Sequence, residues 1–182
     1  MDAAPPELAL DACSLLNLIA THRFGEIAEA VPALFIAERR AASEVRYIRR
    51  GGSGSDALDR DPIDLGALEA AGFLTILDLT TREELADFVA FAVEMDDREA
   101  GTGALARSRG AILVSDDRKA RQVFRPVLDL RTTSEVIKAW ADRMAPSPVE
   151  LAQVLLDVET RARFRPGRSD PLFQWWELAR TS

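Results

Sequence analysis

Gly110-Ala111-Ile112-Leu113-Val114-Ser115-Asp116-Asp117 is the stretch whose reading decides the fold. Its apolar run is too short for a helix and shows no polar alternation. It therefore reads as a strand buried on both faces, the kind found in parallel sheets covered by helices on each side. The run leads straight into a hydroxyl and two carboxylates, which puts polar chemistry at the carboxyl end of the strand. In open parallel sheets, ligands bind at that edge.

Working outward, short apolar runs alternate with longer amphipathic ones, the pattern of an α/β chain. Leu8-Ala9-Leu10 reads as a second buried strand, ending at Asp11. A helix from Ser14 to Ala20 follows, then another from Phe24 to Val31 after the Thr21-His22-Arg23 break. Ala33 to Ala37 is the next strand, and a helix is expected from about Ala41 to Arg49, with Val45 and Ile48 as its buried stripe. Leu74 to Leu79 is a further strand. Thr81 with Glu84 forms a capping box for a helix through about Val93. Another helix covers about Glu99 to Arg109. Its Gly101 and Gly103, each costing ~1 kcal/mol relative to alanine, are expected where backbone or substrate approaches closely.

Downstream, Arg118 to Phe124 reads as a helix and Val127 to Leu130 as the last strand. From Thr132 the pattern is helical. Thr132 and Glu135 make a second capping box, and Ser147-Pro148-Val149-Glu150 joins an N-cap to a proline at the first helical position. The segment Pro171 to Ala179, with Phe173, Trp175 and Trp176, is expected to pack back on the core. Gly51-Gly52-Ser53-Gly54-Ser55 through Asp61-Pro62 reads as a mobile surface loop; it lacks the Gly-Lys-Ser/Thr of a phosphate loop. The whole, residues 1–182, reads as one domain, with a core at about 7–130 and a helical segment at about 131–182.

Composition sets bounds. The chain of 182 residues is 47% hydrophobic and 29% charged, ordinary for a globular protein. No apolar run approaches the roughly 18 residues of a membrane span, and no basic segment precedes an apolar core at the N-terminus. The expectation is a cytoplasmic protein with no membrane partner. One cysteine, Cys13, excludes an internal disulfide framework and a Cys-rich zinc site; beside a buried strand it reads as inert packing. A formal net charge of −7 argues against broad, non-specific adhesion to nucleic acid. Basic residues nevertheless cluster at Arg39, Arg40, Arg46, Arg49 and Arg50, at Arg118, Lys119 and Arg121, and at Arg161, Arg163, Arg165 and Arg168. Each cluster reads first as a solvated helix face.

The acidic residues point to chemistry. Asp11 and Asp116-Asp117 sit just after strands, Glu99 opens a helix after Glu94-Met95-Asp96-Asp97, and Glu44 lies beside the Val45/Ile48 stripe. Carboxylates gathered at one sheet edge repel each other, and burial raises their pKa values. A divalent cation relieves both problems, and an all-oxygen ligand set selects Mg²⁺ or Mn²⁺ over zinc. The single histidine, His22, cannot supply a two-histidine acid/base mechanism and reads as a surface or capping residue.

Leu8-Ala9-Leu10-Asp11-Ala12-Cys13-Ser14-Leu15-Leu16 resembles the opening strand and helix of PIN-domain proteins. Asp96-Asp97-Arg98-Glu99-Ala100, Ala104-Leu105-Ala106 and Gly110 to Arg121 resemble the second half of that fold. The nearest subgroup is the stand-alone PIN proteins related to VapC-type toxins, and the resemblance runs through roughly residues 7 to 130. It implies a three-layer αβα sandwich with a central parallel sheet, here with a C-terminal helical extension. It also implies Mg²⁺- or Mn²⁺-dependent cleavage of RNA, with Asp11, Glu44, Glu99 and Asp117 as the four catalytic acids. Asp11, Glu99 and Asp117 would be metal ligands, with Asp96 and Asp116 beside them, and Ser115 would hold a ligand or water by hydrogen bond. Glu38 is the alternative to Glu44, and Asp116 to Asp117. Cys13 and Arg98 stand where the family usually has Ser, Thr or Asn and glycine.

The first functional expectation is thus a metal-dependent endoribonuclease, with the toxin of a toxin–antitoxin pair as one placement. Its partners would be RNA, an antitoxin protein and a second copy of the chain. The alternative is a catalytically inactive PIN-like module that binds RNA or a protein. A phosphotransferase of the haloacid-dehalogenase type is disfavoured, because the second aspartate that its nucleophile motif needs is Cys13.

Overall fold

Strand pairing organises the chain. The structure, a computed structural model, describes residues 4–50 and 60–181. β1 (Glu7–Leu10) lies between β2 (Leu34–Glu38) and β6 (Ile112–Val114). β5 (Thr75–Leu77) pairs with β2, and β7 (Leu130–Arg131) with β6. The order is β5-β2-β1-β6-β7, with every pair parallel. All five carboxyl ends therefore open on one edge.

The period of two along each strand divides the core between two faces. Leu8, Leu10, Phe35, Ala37 and Val114 join a cluster with Leu15, Leu18, Ile27, Val136, Ile137, Trp140, Leu155 and Trp176. This face is covered by α1 (Ala12–Ala20), α2 (Phe24–Ala30), α8 (Thr133–Met144) and α9 (Pro148–Asp157). A π-helical turn (Val158–Ala162) and α10 (Phe173–Ala179) complete it. Ala9, Ile36 and Leu113 point the other way, into a cluster with Ala100, Leu105, Ala106 and Phe124. That face belongs to α5 (Arg82–Phe91), α6 (Asp97–Arg109) and α7 (Arg118–Phe124). The chain is an α/β protein whose parallel sheet carries helices on both faces. Trp176 is fully buried, so the C-terminal segment does pack back on the core.

The capping boxes at Thr81/Glu84, Thr132/Glu135 and Ser147/Glu150 all form. The two helical glycines serve packing. A Cβ on Gly103 would stand 2.3 Å from the Phe124 ring, and one on Gly101 would stand 3.1 Å from the Glu38 carboxyl group. Both positions meet protein, so close helix packing is the role shown.

Three expectations need correction. The helix expected from Ala41 to Arg49 is only α3 (Arg39–Ala42). The chain then turns and enters β3 (Tyr47–Arg49), which pairs antiparallel with β4 (Arg60–Pro62) in a separate ribbon. The Ser43 hydroxyl donates back to the Arg40 carbonyl, and Ile63 N–H takes the Arg46 carbonyl that a continuing helix would have used. Arg60 stacks on Tyr47 across the ribbon, 3.9 Å from the ring centroid. Val45 and Ile48 are both buried, but not as a helical stripe. The expected loop at 51–62 lies outside the described residues for 51–59, and its end is β4. The last strand begins at Leu130 rather than Val127, because the Val127 and Leu128 amides close α7 on the Phe124 carbonyl. One helix without a counterpart in the sequence pattern, α4 (Leu65–Ala70), starts where Asp64 caps the Ala67 amide at 3.0 Å. Among the described residues no helix is long and apolar enough to cross a membrane.

Candidate functional site

β1 and β6 lie side by side at the centre of the sheet, so the residues that leave them emerge together. Asp11 N–H still donates to the Val114 carbonyl, at 3.2 Å. Its Oδ1 accepts the Ser14 amide at 2.6 Å, which caps α1. The buried Ser14 hydroxyl stands beside it without a well-formed hydrogen bond of its own. Asp11 is only 8% exposed. Burial raises its pKa and the Asp117 charge adds to the shift, while hydrogen bonds from Ser115 and Ser14 oppose it.

Asp117 caps α7 in the same way, its Oδ1 accepting the Ala120 amide at 2.7 Å. The Ser115 hydroxyl accepts the Asp117 N–H at 3.3 Å and lies near enough to Asp11 to oppose the rise of its pKa. In this structure Ser115 holds a protein group in that way. Each aspartate engages one oxygen in its capping bond and leaves the other outside it.

Glu99 comes from the opposite side. It is the third residue of α6, whose first turn Asp96 caps by accepting the Arg98 and Glu99 amides, both at 3.0 Å. The pKa of Glu99 is raised by burial and by the charges of Asp96, Asp117 and Asp11. Glu99 thus lies within reach of the charges of both aspartates.

Asp116 has different work. It points into the α1/α8 face, where it accepts Thr133 N–H at 2.9 Å, the Thr133 hydroxyl, and the Asn17 amide at 3.1 Å. Burial pushes its pKa up to about 6 despite the Thr133 bonds, with Asp11 and Asp170 adding to the rise. It tethers the β6–α7 turn to α8, and Asp117 holds the more open position of the two.

Glu44 is engaged by an arginine. It sits in the turn after α3, ion-paired with Arg98, which also binds Asp96 at 2.9 Å. Glu38, by contrast, ends β2 and is 2% exposed; it caps α3 through the Arg40 and Ala41 amides, at 2.7 and 3.3 Å. Burial raises its pKa. The sheet thus places Glu38 at the same edge as Asp11, while Glu44 and Asp96 share a guanidinium outside it. Glu38 is legible by the rule that picks Asp11, an acid directly after an apolar strand. Asn17 and Thr133, which fix Asp116, carry no local signal.

Cys13 is exposed, so it does not serve as packing. Partial burial of the thiol, together with the charges of Asp11, Asp116, Asp117 and Glu99, pushes its pKa up to about 11. The acids therefore suppress thiolate chemistry there. His22 is exposed, with left-handed backbone (φ 55°) at the far end of α1.

Among the described residues no three His, Cys, Asp or Glu side chains stand close enough to hold a metal ion as a ready group. The donor chemistry still fits a hard cation: carboxylate oxygens only, with one oxygen of Asp11 and one of Asp117 outside the capping bonds, and a Glu99 carboxyl group whose ionisation is opposed by like charges. Compared with protein-family models and with curated protein sequences, the chain matches none.

Proposed function

We propose that this chain is a PIN-like, Mg²⁺- or Mn²⁺-dependent endoribonuclease whose centre is Asp11, Glu99 and Asp117. The observation that carries the reading is geometric: Asp11 and Asp117 leave the adjacent parallel strands β1 and β6 at one carboxyl edge of the sheet, where the Asp11 amide still donates to the Val114 carbonyl at 3.2 Å. Like charges held together by a fold favour a counter-charge that they can share.

Asp11, Glu99 and Asp117 would hold the cation, with the second oxygen of Asp116 engaged by Thr133 and Asn17 and so less available. When bound, the cation supplies a Lewis acid to the phosphoryl oxygen and to the attacking water. The protein's own part is orientation. The α1 and α7 caps fix the two aspartates, and the Ser115 hydroxyl accepts the Asp117 amide. Water adds across a P–O bond of the RNA backbone, and the leaving oxygen takes a proton from solvent. No histidine is placed to act as acid or base, since His22 lies at the other end of α1.

One observation favours the second reading, a non-catalytic PIN-like module that binds RNA or a protein: Arg98 ties up Glu44 and Asp96, the acids flanking the centre. A total-RNA digest in Mn²⁺ separates the two. The nuclease reading expects cleavage by the wild type and none by Asp11→Asn or Asp117→Asn. Intact RNA with folded wild type would select the binding module. The cytoplasm, an antitoxin partner and a homodimer belong to the toxin placement of the first reading, and each stands or falls with a cognate gene and a measured mass.

A further inference from the structure

Beside the acidic edge lies a groove of about 510 Å³ between α7 and the C-terminal segment 164–171. Asp116 is in its wall, so groove and acidic edge adjoin. Its α7 side presents Arg118, Arg121, Gln122 and Arg125. These positions repeat every three or four residues, so they form one row down the helix, about 10 Å long at 1.5 Å per residue.

Of the arginines elsewhere in the basic clusters some are ion-paired, while Arg40, Arg46, Arg49, Arg163 and Arg168 have no carboxylate partner among the described residues. Arg39 pairs with Asp78, Arg161 with Asp157 and Arg165 with Glu177. What sets the groove apart is that three arginines without a carboxylate partner among the described residues fall on one helix face. Arg121 Nη1 donates to the Ser115 carbonyl at 3.2 Å, and among the described residues Arg118 and Arg125 have no carboxylate partner. The two acids in the wall are engaged by neutral donors: Asp116 by Thr133 and Asn17, and Asp170 by the Ser134 hydroxyl and the Leu172 amide, both at 2.7 Å. Opposite the arginine row, the half-buried Phe164 ring packs edge-on against Trp176, with centroids 5.8 Å apart.

We propose that this groove holds the backbone phosphates of single-stranded RNA on the arginine row, with Phe164 offering its ring to a base. The choice of ligand rests on reading the neighbouring acids as a nuclease centre. Guanidiniums on a helix face with a facing aromatic ring are the parts of a single-strand track. An acidic peptide would match the arginines but leave the ring and Gln122 without a counterpart. The C-terminal extension thereby gains a role in this chain, since it supplies the far wall.

The test is binding of a fluorescein-labelled 12-nucleotide RNA by the full chain, read by anisotropy in EDTA so that nothing is cleaved. Arg118→Gln/Arg125→Gln should weaken binding at least tenfold. It should also reduce the slope of log affinity against log salt by about 1.4, ~0.7 for each single-strand phosphate that is no longer neutralised. Arg82→Gln/Arg143→Gln, with the same charge change on exposed residues elsewhere, should stay within twofold of wild type. Both variants are checked by circular dichroism. Wild type that does not bind, a groove variant within twofold of wild type, or a control variant that loses as much would each overturn the proposal. Polyglutamate that displaces the RNA at equal charge concentration would overturn it in favour of a protein partner. Binding through the groove with no cleavage in Mn²⁺ would uphold the groove and sink the nuclease reading. Cleavage with wild-type KM by the groove variant would do the reverse.

Discussion

The Asp11 amide donates to the Val114 carbonyl at 3.2 Å, so the last hydrogen bond between β1 and β6 is made by the first residue of the acidic edge. Ser115 follows immediately on the other strand, and its hydroxyl accepts the Asp117 amide at 3.3 Å. Residues far apart in sequence are thereby set by one rung of the sheet ladder. Asp11 and Asp117 take their places from strand ends, while Arg98 and Glu44 are exposed side chains.

Asp116 should make the metal-free protein pH-sensitive. A carboxyl group whose folded pKa is raised adds stability that is complete below its ordinary 3.8 and lost as pH rises through about 6. Asp116→Asn has no such dependence. In EDTA, the melting temperature of wild type minus that of the variant should therefore fall steadily from pH 4 to pH 7. A difference that stays flat would mean that Asp116 is not desolvated as its environment implies.

Gly103→Ala places a methyl group 2.3 Å from the Phe124 ring, and Phe124 is buried with little room to move. Over-packing of this kind costs about 1–3 kcal/mol. Gly101→Ala, whose Cβ would meet the Glu38 carboxyl group at 3.1 Å, should cost less, because a side chain can shift by a few tenths of an ångström. Urea unfolding of both variants checks the ranking, and equal losses would contradict it.

Glu84 accepts the Thr81 and Thr80 amides, at 2.9 and 2.8 Å, and the Ser108 hydroxyl at 3.1 Å. These bonds, the Thr81 amide first, hold its pKa below the ordinary 4.5. The stability it contributes is present above that value and lost as pH falls through the lower folded one. Glu84→Ala should cost about 1–2 kcal/mol at pH 7, a lost cap and unsatisfied amides, and less near pH 3. Chemical denaturation at the two pH values reads both numbers.

Arg98→Ala should leave the fold intact, because the side chain is exposed and pairs only with Asp96 and Glu44. Removing a positive charge beside the acids and freeing two carboxylates should tighten Mn²⁺ binding by about two- to fivefold, the scale of exposed ion pairs. Weaker binding in the variant would assign Arg98 a supporting role in the centre.

The parts of this architecture that are legible in the sequence are those fixed locally. Leu8 to Leu10 and Ala111 to Val114 are apolar on both faces, and the three capping boxes are spelled out within four residues each. Asp11, Glu99 and Asp117 follow from position at element ends. The β3–β4 ribbon is not legible, because Val45 and Ile48 satisfy a helical spacing and the partner strand lies beyond residues 51–59. The choice of Glu44 over Glu38 comes from the resemblance to PIN-domain proteins. The burial of Glu38 depends on α6 approaching at Gly101, and the removal of Glu44 depends on Arg98; both are tertiary contacts that no local pattern encodes. The groove is hidden for the same reason, since α7 and the 164–171 segment meet only in the folded chain.

The most direct test of the central claim is calorimetric titration of the metal-free protein with Mn²⁺ near pH 7.5, for wild type, Asp11→Asn, Asp117→Asn and Glu44→Gln. If Asp11, Glu99 and Asp117 form one cation site, wild type and Glu44→Gln bind alike, while each aspartate variant loses at least tenfold in affinity without losing its fold. Wild type that takes up no Mn²⁺, or aspartate variants that bind as well as wild type, would contradict it.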